Sequence, residues 1–196
     1  MNLANKLTIG RIFLIPIFLI FIAVSDIPYG TFIATFIFIL ASLTDKVDGY
    51  IARSRNQITK FGKFMDPLAD KLLVTAALIS LVELQVVPAL AAIVIIAREF
   101  AVSGLRTIAA SEGNVIAASW WGKIKTVFQI IAIILLLLKV NISTSVYLTK
   151  LVTEIDFWNI FFEDIPSIAL WLAVIITIMS GVDYFIKNKH TIDVNK

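Results

Sequence analysis

Cysteine is absent from this sequence of 196 residues, and histidine occurs once, at His190. The lack of thiols excludes disulfides and thiolate metal sites. Charged residues are also scarce, at 16% of the chain, whereas hydrophobic residues make up 59% and the mean hydropathy is +0.93. Soluble globular domains are only about half apolar. The composition therefore predicts a protein of the lipid bilayer.

The chain has few charges of either sign, and basic residues are only slightly in excess, which gives a formal net charge of +3. A basic balance can indicate nucleic-acid binding. In a membrane protein, however, the distribution of basic residues is more informative than their sum. We expect no nucleic-acid partner.

Four aspartates stand beside otherwise apolar segments between Asp45 and Asp70. On a helix, Asp45 and Asp48 share one face, and Asp66 and Asp70 share one stripe of the following helix. Four facing carboxylates would repel one another, so an ionised cluster requires compensating positive charge. Because the chain lacks cysteine and has a single histidine, oxygen ligands are the available donors. They predict a hard cation, Mg²⁺ or Mn²⁺.

Small residues accompany the first two aspartates. Gly49 and Ala52 fall on the same helical face as these acids, with Arg53 directly behind them. Gly62 begins the stripe that continues with Asp66. The helical face of Asp45 and Asp48 therefore combines two acids with small side chains.

Six apolar segments predict six transmembrane helices in an all-α fold, with residues 1–196 as a single membrane domain. Between the fifth and sixth, residues 141–164 carry an apolar stripe with charges elsewhere, which predicts an interfacial helix on the outer side. The first segment also resembles a cleavable signal peptide, but we expect it to be retained. The six segments are residues 9–24, 31–52, 62–84, 87–110, 120–138 and 165–185.

Basic residues concentrate on the side of the membrane that both termini would share, whereas the opposite loops contain only Lys139 and Lys150. By the positive-inside rule, the termini and the aspartate motif face the cytoplasm. This predicts a multi-pass protein of the cell membrane. The basic positions on the shared side are 6, 11, 53, 55, 60, 63, 106, 123, 125, 187, 189 and 196.

The pattern D-x-x-D-G-x-x-A-R-x8-G-x-x-x-D-x-x-x-D resembles the signature of the CDP-alcohol phosphotransferase family. It covers residues 45–70, and the six-span pattern covers the remainder less specifically. The resemblance implies transfer of a phosphatidyl group from CDP-diacylglycerol to an alcohol, with release of CMP. Further patches resemble the members that use glycerol 3-phosphate as the acceptor: Asn5-x-x-Thr8-x-x-Arg11, M-D-P-L-A-D-K, Arg98-Glu99 and Gly104-Leu105-Arg106. The matching residues are Asp45, Asp48, Gly49, Ala52, Arg53, Gly62, Asp66 and Asp70.

The same resemblance implies roles for the aspartates. Asp45 and Asp66 would contact both of two divalent cations, Asp48 the first and Asp70 the second. Asp70 would also be the catalytic general base that takes the proton from the attacking hydroxyl of the acceptor.

Residues for the CDP-lipid are implied in the same way. Gly49 and Ala52 would leave room for the cytidine and ribose, and Arg53 and Thr59 would contact the phosphates. The first helix would close the pocket. The complete set implied in nucleotide binding is Asn5, Thr8, Gly49, Ala52, Arg53, Thr59 and Gly62.

A phosphorylated acceptor also needs cations. Arg98 and Arg106 lie eight residues apart on the predicted fourth helix, and Lys123 and Lys125 enter the fifth. Bidentate arginine suits a phosphate, so we predict an acceptor-phosphate pocket beside the acids, with Glu99 orienting one arginine. Alternatively, Arg98 pairs with a carboxylate and the lysines are anchors on the cytoplasmic side.

Two other functions stay open. One is a sister enzyme of the same family that uses inositol phosphate, serine or phosphatidylglycerol as acceptor. The other is a divalent-cation transporter, although its ionisable residues would be spread across the membrane depth rather than clustered at one face. Membrane lipids are expected partners, and a homodimer is possible because members of the family are often dimers.

Overall fold

The computed structural model describes residues 3–54, 60–111, 119–154 and 156–188, and the regular secondary structure of these residues is helical throughout. This confirms the predicted all-α fold for the described part of the chain. The helices are α1 (Leu3–Ala23), α2 (Gly30–Ser54), α3 (Lys60–Glu83), α4 (Ala89–Ser111), α5 (Trp120–Thr144), α6 (Val146–Thr153) and α7 (Asp156–Lys187).

The six predicted apolar segments overlap the six long helices, α1 to α5 and α7. The agreement follows from length and composition, because a run of about 20 apolar residues in a chain with few charges satisfies its backbone best as a helix. α1 starts earlier than predicted, at Leu3, so that Asn5 and Thr8 belong to the helix itself.

The prediction of a single helix over residues 141–164 is wrong, whereas the interfacial position of this segment on the outer side stays a prediction. α5 continues to Thr144, and Ser145 then takes an extended conformation, with φ −108° and ψ 110°, and caps the start of α6. α7 begins at Asp156 and runs through Pro166 without a break. The segment is therefore shared among three helices, and a local cap at Ser145 makes the first division, between α5 and α6.

Among the described residues, two helical segments are long and apolar enough to cross a membrane, and two shorter helical stretches are also apolar. Large apolar side chains face outward: Phe13 and Phe36 are each 66% exposed and Leu90 is 67% exposed. Such a surface is typical of contact with lipid or with another apolar partner. The helices are consistent with a membrane protein. The long segments are Trp120–Thr144 and Ile160–Lys187, and the shorter ones are Leu7–Ala23 and Gly30–Thr44.

The packing of the helices brings distant parts of the chain together. α1 packs against α2 and α3, α5 against α2 and α7, and α4 against α7. Phe18 of α1 and Phe38 of α2 are completely buried, with ring centroids 6.1 Å apart. The turn between these two helices is tight, because a Cβ on Gly30 would lie 2.6 Å from the carbonyl oxygen of Phe21.

Four buried polar residues lie in the first turns of α5 and the later turns of α7, next to the middle of α4. Lys125 and Gln129 of α5 are 4% and 3% exposed, and Thr177 and Ser180 of α7 have no exposed surface. Polar groups this deep among apolar helices are costly unless they pair with one another. The buried polar residues therefore make this region the candidate functional site.

Candidate active site

A small polar cavity opens between α3, α4 and α5, with a volume of about 10 Å³, which is room for about one water molecule. Because the cavity is so small, its lining side chains would have to separate to admit a larger ligand. Its walls carry both signs of charge as well as neutral polar groups. The lining residues are Asp70, Lys71, Val74, Glu99, Lys125, Thr126 and Gln129. We refer to this site as the polar cavity.

Glu99 pairs with two largely buried cations, Arg98 and Lys125. Its carboxylate forms an ion pair with the Lys125 ammonium, and its Oε1 atom lies 3.6 Å from Nη1 of Arg98. The side chains of Lys125 and Arg98 are 5% and 11% exposed, so this group is largely removed from water. A buried charge of this kind is stable only with its partner in place.

Arg98 is held from the opposite side by α7. Its Nη2 atom donates a hydrogen bond of 2.7 Å to the hydroxyl of Ser180. The adjacent Gly181 lets the two helices approach closely, because a Cβ there would lie 3.1 Å from Cγ of Arg98. Ser180 and Gly181 thus fix the direction of the guanidinium group, since one accepts its hydrogen bond and the other leaves room for its side chain.

A second contact between side chains of neighbouring helices joins α5 to α7, one turn after Lys125. The Nε2 atom of Gln129 is 3.0 Å from the hydroxyl of Thr177, and this hydroxyl donates in turn to the carbonyl oxygen of Ala173 at 2.6 Å. All of these groups are buried. Gln129 therefore reaches the polar cavity with its side chain already fixed by α7.

The predicted acceptor-phosphate residues separate into two groups. Arg98 and Lys125 come together at Glu99, which agrees with the predicted orientation of an arginine by this glutamate. Arg106 and Lys123 are exposed. Of the four predicted residues, Lys125 lines the polar cavity, whereas Arg98 lies behind Glu99 and outside the lining. Arg98 also pairs with a carboxylate, as its alternative interpretation predicted, whereas the burial of Lys125 excludes a role as a surface anchor.

The predicted aspartates lie on two helices that pack against each other. Asp45 and Asp48 belong to α2, and Asp66 and Asp70 belong to α3. Asp70 lines the polar cavity. The side chains of the other three aspartates lie outside the described part of the structure, and the described side chains include no group of three or more His, Asp or Glu placed to hold a metal.

The predicted nucleotide residues are described in part. Asn5 and Thr8 are buried in α1, with 9% and 1% exposed. Thr59 falls outside the described residues. The remaining four belong to α2 or α3, and their side chains are not among those described; they are Gly49, Ala52, Arg53 and Gly62.

Sequence reasoning missed Gln129, Thr177 and Ser180. The available signal was the cost of a polar side chain inside an apolar span, which makes such a residue functional by default. The partners could not be assigned from that signal, because Gln129 and Thr177 are 48 positions apart and meet only when α5 packs against α7.

Residues 1–179 match the model of the family described as CDP-alcohol phosphatidyltransferase. The chain belongs to this family. The aspartate motif of residues 45–70 lies within the matched residues.

Curated members of the family resemble the chain over almost its whole length. A protein of Bacillus subtilis (strain 168) is 48% identical over 95% of this chain and 95% of its own length. Proteins of Rickettsia bellii (strain RML369-C) and Haemophilus influenzae (strain ATCC 51907 / DSM 11121 / KW20 / Rd) are 40% and 39% identical, and the matches cover 94% and 93% of this chain and 93% and 91% of theirs. All three are named CDP-diacylglycerol--glycerol-3-phosphate 3-phosphatidyltransferase.

Proposed function

We propose that this protein transfers the phosphatidyl group of CDP-diacylglycerol to glycerol 3-phosphate, giving phosphatidylglycerophosphate and CMP in phospholipid biosynthesis. The observation that carries the proposal is the 48% identity to a relative of that name, over 95% of both chains. Because the match leaves almost none of the relative uncovered, the whole reaction fits within this chain. The polar cavity supplies a carboxylate and cations side by side, as the reaction requires.

Two divalent cations, Mg²⁺ or Mn²⁺, are proposed to lie between Asp45, Asp48, Asp66 and Asp70. The fit is supported by the donor set, because carboxylate oxygens one helical turn apart on two packed helices suit a hard cation. When bound, the cations would neutralise the pyrophosphate and the charge that develops on departing CMP.

Asp70 is proposed as the general base. Its carboxylate lies in the polar cavity, next to the space in which an acceptor would bind. There it would accept the proton of the attacking hydroxyl as the oxygen bonds to the β-phosphorus and CMP leaves. The nucleotide half of the donor would occupy the set Asn5, Thr8, Gly49, Ala52, Arg53, Thr59 and Gly62.

The phosphate of the acceptor is proposed to bind Arg98 and Lys125. Both cations are buried beside the carboxylate of Glu99, and Lys125 lines the polar cavity. A phosphate that enters this cavity would therefore compete with Glu99 for Lys125 first, and for Arg98 once the lining side chains separate. A buried guanidinium group and ammonium group bind a phosphate strongly because little water competes there. Arg106 and Lys123, which are exposed, would attract the anion from outside.

We further propose that residues 1–196 form one membrane domain with six spans. The two termini and the polar cavity would face the cytoplasm of the cell membrane, where the water-soluble substrate, glycerol 3-phosphate, is found. The proposal is supported by the overlap of six apolar segments with six long helices and by the basic residues on the shared side. A homodimer stays a prediction.

An acceptor panel tests the function. Purified protein in detergent with CDP-diacylglycerol lipid should release CMP with glycerol 3-phosphate, and not with inositol phosphate, serine or phosphatidylglycerol. Release should stop when EDTA removes divalent cations and return when Mg²⁺ or Mn²⁺ is added. CMP release with another acceptor would identify a sister enzyme, and metal flux into proteoliposomes without CDP-lipid would identify a transporter.

The variant Asp70→Asn tests the proposed base in the same assay. Loss of the proton acceptor should lower the turnover number by about 10²-fold or more, while binding of CDP persists. Glu163→Gln is the matched control, because Glu163 pairs with Lys139 at 2.6 Å and is 61% exposed. Turnover at the wild-type rate in Asp70→Asn would show that another group accepts the proton.

A further inference from the structure

The orientation of the Gln129 amide is determined by its partner. The hydroxyl of Thr177 has one hydrogen, and it donates this hydrogen to the carbonyl oxygen of Ala173. Toward Gln129 this hydroxyl can therefore only accept, so that the NH₂ group of the amide must face it, at 3.0 Å. The Oε1 atom is consequently the end of the Gln129 side chain that remains for the polar cavity, which this residue lines.

One group of the proposed acceptor would suit this oxygen once the lining side chains of the polar cavity separate to admit the acceptor. Glycerol 3-phosphate has a phosphate at one end, an attacking hydroxyl at the other, and a middle hydroxyl that takes no part in the transfer. Lys125 and Gln129 are one turn apart on α5, which corresponds to about 6 Å along the helix axis and to the scale of a short phosphorylated alcohol. The attacking hydroxyl would lie toward Asp70, on the α3 side of the same cavity.

The remaining groups of the cavity are less suited to a neutral hydroxyl. Asp70, Lys71, Glu99 and Lys125 are charged, and Glu99 and Lys125 already pair with each other. The Thr126 hydroxyl donates to the carbonyl oxygen of Gly122 at 3.0 Å. A fixed, neutral carbonyl oxygen thus remains at Gln129 to receive a neutral donor.

We propose that Gln129 is a specificity-determining residue, which accepts a hydrogen bond from the middle hydroxyl of a three-carbon phosphorylated acceptor, with Thr177 as the positioning residue. The inference rests on the proposed function and adds to it the recognition of one hydroxyl group. It explains why a polar side chain stands in an otherwise apolar stretch of α5 and is tied to α7. A site that is built to pair with a hydroxyl rejects an analogue that lacks it.

The test compares two acceptors, glycerol 3-phosphate and 3-hydroxypropyl phosphate, which lacks the middle hydroxyl. Wild-type protein should have a kcat/KM at least about tenfold higher for glycerol 3-phosphate, as expected for one buried hydrogen bond. Gln129→Met should lower kcat/KM for glycerol 3-phosphate by about tenfold and change that for the analogue by less than about threefold. Thr177→Val should cause a smaller loss with the same selectivity.

The chain contains a matched control on the same helix. Asn141 is also 3% exposed, and its amide nitrogen donates a bond of 3.0 Å to the Thr35 hydroxyl, which itself donates to a carbonyl oxygen one turn away. Asn141 does not line the polar cavity. Asn141→Met should therefore leave the ratio of the two kcat/KM values unchanged, because damage to folding lowers both alike.

The ratio does not depend on how much of a variant is folded, so the outcome is clear even for a damaged protein. Equal losses on both acceptors in Gln129→Met, or the same selective loss in Asn141→Met, would overturn the inference while leaving the proposed function intact. If wild-type protein transfers phosphatidyl to neither acceptor, the proposed function fails, and the inference fails with it.

Discussion

Glu99 forms ion pairs with two buried cations, and at the scale of residues its charge contributes to the stability of the polar cavity. Glu99→Gln removes the charge but keeps the shape, which leaves Lys125 buried without its ion-pair partner. We expect the free energy of unfolding to fall by about 3 kcal/mol. Thermal unfolding of the purified protein in detergent measures this change.

The control for that prediction is Asp183→Asn. Asp183 pairs with Lys187 at 2.7 Å, but the Lys187 side chain is 64% exposed, so water screens the pair. Its loss should cost less than about 1 kcal/mol. Equal destabilisation by the two variants would contradict the special role assigned to burial at Glu99.

The sequence predicted site residues best where a charged side chain stands inside an apolar span. Arg98 and Lys125 attract attention because charged side chains inside apolar spans are expensive, and the structure brings both to Glu99. The separation of Lys125 from Lys123 could not be predicted. These lysines are two residues apart, so on a helix they point in different directions, and only the packing of α5 shows which one is buried.

At the scale of elements, the close approach of α4 and α7 depends on Gly181. In Gly181→Ala, the new methyl group would meet Arg98 Cγ at 3.1 Å and displace the guanidinium group from Ser180. We expect the KM for glycerol 3-phosphate to rise about fivefold, since one charge-assisted hydrogen bond weakens. The KM for CDP-diacylglycerol should be unchanged, and steady-state kinetics with each substrate varied in turn checks both values.

Gly104→Ala is the control for this variant, because a Cβ on Gly104 would meet no atom within 4 Å. Alanine is a better helix former than glycine, so neither substitution should weaken its helix. A rise in KM for both substrates, or a similar rise in Gly104→Ala, would show that the effect does not pass through Arg98.

The helices themselves were predictable because apolar length determines them, but the boundaries after Thr144 were not. The apolar stripe over residues 141–164 has the same spacing whether one helix or several contain it. The boundary between α5 and α6 comes from the extended backbone of Ser145 and from its hydroxyl, which accepts a hydrogen bond from the Leu148 amide at 3.4 Å. A cap of this kind competes with a continuous helix by only about 1 kcal/mol, too little to decide from sequence.

At the scale of the whole molecule, the proposed topology predicts which surfaces lie outside the cell. The chain has no cysteine, so a single introduced thiol gives labelling without background. Val146, which is 88% exposed at the start of α6, should lie outside, whereas Lys187 at the end of α7 should lie in the cytoplasm. Val146→Cys should react with a membrane-impermeant maleimide in intact cells, and Lys187→Cys only after permeabilisation.

Labelling of Lys187→Cys in intact cells, with protection of Val146→Cys, would reverse the proposed orientation. The number of long helices followed from the sequence, since each apolar run overlaps one of them. Their arrangement did not, because contacts such as that between Phe18 and Phe38 join helices through side-chain shape rather than through any periodic pattern.

Thr177 and Ser180 occupy one turn of α7, yet they hold side chains from two other helices, Gln129 of α5 and Arg98 of α4. Insertion of a single residue between Pro166 and Ala173 would rotate this turn by about 100° about the helix axis. Both hydroxyls would then leave their partners together. The residue count of α7 upstream of this turn is therefore as strictly constrained as the identity of the two hydroxyl-bearing residues.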